Sequence, residues 1–200
     1  MSAPVPFIAH FAATKGFRYE PDADERWLRV WEPFATLRVP LHYEHVLSAT
    51  GEIGSITLAM MVHELPAPHL PSGVRPVAAW LAIVQDTRIA GKFAITSDRQ
   101  LVFGEPLDLV PMPRQSGGDA WFDGVFATFG ETQAAVTDAL TPSLKKLVMG
   151  WQTPLHAEVR PGGFILCASA LPPDHAGLAW LADATTQFGA KATKVRPARA

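Results

Sequence analysis

LRVPLHYEHVLSATGEIGSITLAMMVHEL, residues 37–65, decides the fold class. Residues 37–47 and 52–65 are rich in β-branched and aromatic side chains, and Thr50, Gly51 and Gly54 supply a turn between them. That pattern predicts a long β-hairpin. Beyond it, Pro66, Pro68, Pro71 and Pro76 read as a connection that can hold neither a helix nor a central strand. Residues 77–85 then read as a strongly apolar strand, with shorter strands at 91–95 and 100–103 and a loop at 106–118.

Working outward, Phe7, Ile8, Phe11 and Ala12 have the three-and-four spacing of a short helix that stops at Gly16. Asp22 and Glu25 look like a capping box ahead of a helix carrying Trp27, Val30, Trp31 and Phe34. On the C-terminal side, residues 121–129 read as a strand and 132–140 as a helix. Thr141 followed by Pro142 starts another helix, with Leu144, Leu147, Val148 and Trp151 as its apolar stripe. A second hairpin is expected around Pro161, Gly162 and Gly163, and a last helix with Leu178, Leu181 and Phe188 on one face ends at Gly189.

Helices followed by antiparallel strands and then mixed elements imply an α+β fold, mostly an antiparallel sheet with helices packed on one face. Alternating βαβ units are not seen, so a parallel doubly wound sheet is disfavoured. Trp27, Trp31, Leu144, Leu147 and Trp151 are expected in the core. The organisation implied is a single domain over residues 1–190 with a basic, disordered tail over 191–200.

Composition narrows the function classes. The 200 residues are 48% apolar but only 18% charged, with a formal charge of −2. That balance excludes extensive disorder and argues against a body that coats nucleic acid or an anionic membrane. A single cysteine excludes a disulfide framework and a cysteine-rich zinc module. No secretory leader and no apolar run of membrane-spanning length is present, so a soluble, cytoplasmic chain is expected, without membrane insertion.

Phe122-Asp-Gly-Val-Phe126, Ala134-Ala135, Leu140-Thr141-Pro142, Leu144, Leu147 and Ile165-Leu166 follow Gly16-Phe-Arg-Tyr-Glu-Pro21 in a recognisable order. In this order the chain resembles a bacterial domain family of unknown function usually carried behind two predicted transmembrane helices. The chain departs from it in lacking those helices and in its extra proline-rich loops. The resemblance implies a soluble α+β domain and transfers no catalytic residue.

The sequence holds no nucleophile elbow, phosphate-binding glycine loop, dinucleotide fingerprint or zincin motif. His42, Glu44 and His63 are the candidate ligand set: across the first hairpin they form a metal or acid–base site if the register puts them on one face. His45 falls on the opposite face from His42 in an extended strand. Cys167, inside an apolar strand, reads as a core thiol. Asp119 and Asp123 read as solvated acids. Of the six tryptophans, any left exposed would be natural anchors of a protein interface. No catalytic residue, metal site or cofactor is assigned. The reading is a non-enzymatic protein-interaction or scaffold module with a protein partner or self-association and no nucleic-acid partner. The alternative is a small metal-dependent or small-molecule enzyme centred on the hairpin histidines.

Overall fold

The structure is a computed structural model that describes residues 5–22, 25–28, 40–97, 112–168 and 170–193. Helix α1 (Pro6–Lys15) leads into β1 (Arg18–Asp22) and the short α2 (Glu25–Leu28). Strands β2 (His42–Gly51), β3 (Gly54–Pro66), β4 (Val74–Gln85) and β5 (Phe93–Thr96) follow. After β6 (Arg114–Gln115) come α3 (Ala120–Val125), β7 (Ala127–Phe129), α4 (Gln133–Ala139) and α5 (Pro142–Gly150). Strands β8 (His156–Arg160) and β9 (Gly163–Cys167) and helix α6 (His175–Ala192) are the last elements among the described residues. Among the described residues nine strands form one antiparallel sheet in the order β1-β2-β3-β4-β9-β8-β5-β7-β6. The fold is α+β.

The first hairpin turns where the sequence places it, with Gly51 paired to Gly54. Gly54 has φ +81°, and a Cβ there would meet the Gln85 carbonyl oxygen. Both facts require glycine. The Arg88 guanidinium binds both Asp86 carboxylate oxygens and also donates to the Glu52 carbonyl, tying the β4 exit to this turn.

Strand β4 explains the continuous apolar run. Trp80, Ala82 and Val84 enter one buried cluster, while Ala79, Leu81 and Ile83 enter another on the opposite face. A strand covered on both faces loses the polar alternation of a half-exposed one. Residues from α1, α3, α4, α5 and α6 join the first cluster, and Leu28 of α2 joins the second. Helical residues therefore reach both faces. Both faces of β4 are thus covered, as its continuous apolar run implies.

Other differences have local causes. Strand β3 runs through Pro66 and β4 contains Pro76, so the proline-rich segment is partly strand. Pro76 is tolerated because β9 pairs only with Leu81 to Gln85, leaving the start of β4 flanked by β3 alone. Residues 121–129, expected as one strand, divide into α3 and β7. The Asp119 carboxylate accepts from the Trp121 and Phe122 amides and starts a helical turn that overrides the β-preference of both aromatics. Asp22 lies in β1 opposite Glu44 instead of heading a helix. The last helix continues past Gly189 to Ala192. Leu144 is buried, whereas Leu147 and Trp151 are partly buried against the same core. Trp31 and the side chain of Trp27 lie outside the described residues, as do the expected strand at 100–103 and tail residues 194–200.

Helix caps follow the sequence closely. Thr132 Oγ1 accepts from the Ala135 amide, Thr141 Oγ1 from Leu144, and Asp174 Oδ1 from Gly177 at 2.9 Å. Replacing Asp174 with Ala is expected to cost about 1 kcal/mol, because it strands an amide at the start of the longest helix. Urea unfolding checks this, and an unchanged midpoint would show that solvent serves that amide equally well.

Candidate functional site

The register separates the hairpin trio. His42 lies opposite Val62 and Glu44 opposite Met60, so these two share a face, and His42 Nε2 lies 3.0 Å from Glu44 Oε1. His63, one residue beyond Val62, points to the other face and is 1% exposed. It does not join them. Among the described residues no three His, Cys, Asp or Glu side chains come together in a metal-binding cluster.

His45 has a different task. The register shifts between Glu44 and Leu47, and His45 takes the left-handed conformation with φ +52°. This is a β-bulge, and a left-handed residue within one is usually glycine. Its Nδ1 lies 3.0 Å from the Tyr19 hydroxyl, which accepts from the Val5 amide at 3.2 Å. With Nδ1 as acceptor, one phenol links the bulge, β1 and the start of α1.

Strand β8 carries a polar strip that the sequence reading did not single out. His156, Glu158 and Arg160 alternate along it, opposite Thr96, Ala94 and the β9 residues Cys167, Ile165 and Gly163. His156 is fully buried, and burial pushes its pKa down to about 4. Burial also lowers the Arg160 pKa, against the opposing charge of Glu158. The available signal was the alternation His156-Ala-Glu-Val-Arg160, with polar residues between two core ones. Cys167 is buried beside this strip.

The acids flanking Trp121 are engaged. Asp119 caps α3, and Asp123 accepts from the Ser116 hydroxyl at 2.5 Å and the Gly117 amide at 2.6 Å. Gln133 adds two bonds to the Ser116 backbone, 2.9 Å from the amide and 2.7 Å to the carbonyl. A Cβ on Gly117 would meet the Phe122 ring at 2.5 Å, so the loop packs onto that ring only as glycine. Residues 116–123 thus form a braced platform.

Trp121 stands on that platform, 73% exposed, with Val125 47% exposed near it. Between α3 and α5 lies an open groove of about 640 Å³, lined by Trp121, Phe122, Pro142, Met149 and the side chains of Lys145 and Lys146. Lys145 Nζ lies 5.8 Å from the centre of the Phe122 ring, within cation–π range. An exposed large aromatic beside a mostly apolar groove is the arrangement that anchors a partner. The sequence pointed to tryptophan anchors in general. It did not single out Trp121 or the lysines, since they come together only where α3 and α5 border one groove.

No family model matches the sequence, and no curated protein matches it. Among solved structures, the chain is similar to the mycobacterial trehalose monomycolate transport factor A, TtfA. The two share a TM-score of 0.62 and 13% sequence identity, over 96% of this chain and 95% of that one. At that identity the likeness establishes a common fold alone. Among the described residues no helix is long and apolar enough to cross a membrane.

Proposed function

We propose that the chain is a non-enzymatic protein-interaction module whose partner seats in the groove between α3 and α5. The observation that carries this reading is the exposed indole of Trp121 on a platform braced by Asp123 and Gln133. A rigid anchor loses little conformational freedom on binding, which is what makes tryptophan a recurrent interface hot spot. The absence of catalytic motifs from the sequence is in line with this, and so is the likeness to a protein named as a transport factor. The reading keeps kinship with the bacterial family of unknown function and a cytoplasmic location as parts of the same proposal.

Replacing Trp121 with Ala tests it. The exposed side chain contributes little to the core, so stability should stay within about 0.5 kcal/mol of the parent. Affinity for proteins that co-purify with the parent should fall by at least about tenfold. An identical set of co-purifying proteins with the variant would remove the support for this surface. A second reading, a small metal-dependent enzyme, draws on the 3.0 Å contact between His42 and Glu44. About one zinc per chain, lost in His42→Ala, would favour it instead.

A further inference from the structure

We infer that the occupant of the α3–α5 groove is an acidic segment of a partner protein, with carboxylates set beside a bulky apolar residue. The inference rests on the reading that this groove is the working surface, and adds its chemistry.

Three cavities meet around the last turn of α5. The groove of about 640 Å³ shares Lys146 and Gly150 with a cavity of about 520 Å³ on the α6 side. It shares Met149 with a third of about 250 Å³, which meets the second at Trp151. Together they form a track that curves around a helix end. A partner chain can follow such a track, while one compact small molecule fills a single cavity.

The charge on the track is predominantly positive. Lys145 and Lys146 border the groove and Lys191 borders its neighbour, and among the described residues none of the three is in an ion pair. The acid that touches the groove, Asp119, is committed to the α3 amides. Three unneutralised lysines around apolar walls ask for an apolar anchor between carboxylates. Residues 194–200 do not supply it, because they carry Lys194, Arg196 and Arg199 and no acidic side chain. The apolar surface is a concave slot between helices, whereas membrane-surface helices present an apolar face that lies flat in the interface.

A random peptide library displayed on phage, panned against the folded chain, tests the inference. The selected pool is expected to be enriched in Asp and Glu next to Phe, Leu or Trp. Synthetic peptides from it should bind Trp121→Ala and the double variant Lys145→Glu/Lys146→Glu at least about tenfold more weakly, and should weaken with added salt. Circular dichroism melts confirm that both variants fold. A neutral or basic pool that still requires Trp121 overturns the acidic occupant but keeps the groove. A pool indifferent to Trp121→Ala, or none above background, overturns both. Lysine-dependent co-sedimentation with phosphatidylglycerol vesicles but no peptide pool makes the occupant a membrane. A Trp121-dependent dimer in sedimentation makes it a second copy. Either result overturns the inference.

Discussion

Replacing Phe188 with Ala is expected to lower stability by about 3–5 kcal/mol, the usual cost of emptying a buried phenylalanine site. Phe188 is fully buried on α6, with its ring centre 4.8 Å from that of Phe164 on β9 and 6.5 Å from that of Trp151 after α5. Trp151 in turn meets Trp180 edge-on at 5.5 Å. One side chain therefore joins the longest helix, a central strand and the helix beside the groove. Since domains of this size are stable by about 5–15 kcal/mol, the loss is a large part of the total. Urea unfolding followed by tryptophan fluorescence measures it, and a loss under about 1 kcal/mol would mean that the aromatic cluster closes over the gap.

Acid should weaken the fold in a window set by His156. Its pKa falls from 6.5 to about 4 on burial, so between those values the unfolded chain binds a proton that the folded chain refuses. Stability is full above pH 6.5 and falls as pH drops toward 4. Each tenfold rise in proton concentration across that window is worth about 1.4 kcal/mol, so the loss approaches about 3 kcal/mol. Asp86 acts lower. The hydrogen bond from Arg88 holds its carboxyl below the ordinary value of 3.8, so its contribution is present above that value and is lost as pH falls further. Unfolding midpoints at about pH 7.5, above the histidine's window, and at about pH 4.5, near its lower end, should therefore differ strongly in the parent and much less in His156→Gln. Parallel curves for the two proteins would assign the acid sensitivity to other groups.

What was legible in the sequence was whatever neighbouring residues dictate. Thr141, followed by Pro142, announced its helix because a cap acts within three residues. Gly51 and Gly54 announced the hairpin for the same reason. The fate of His42, Glu44 and His63 depended instead on register, and the inserted residue at the His45 bulge shows how one position offsets a pairing. Residues 120–125 misled because Trp121 and Phe122 favour strands, while the decisive group was the carboxylate of the preceding Asp119. The groove was hidden for a further reason. Trp121 and Lys145 belong to separate helices, and no local pattern records that they face each other.

The strand order also sets a timetable for synthesis. Strand β4 lies in the middle of the sheet, yet its second neighbour, β9, spans residues 163–167 and leaves the ribosome about eighty residues later. Until then the N-terminal ribbon has an unzipped border at Leu81 to Gln85, among the most apolar backbone in the molecule. β5 also waits, because β8 must come between it and the finished half. Sheets joined through such distant partners close slowly and spend that interval open to strangers. Pro66 and Pro76 lie near the far end of the same ribbon, where a missing amide hydrogen makes a poor template for an incoming strand.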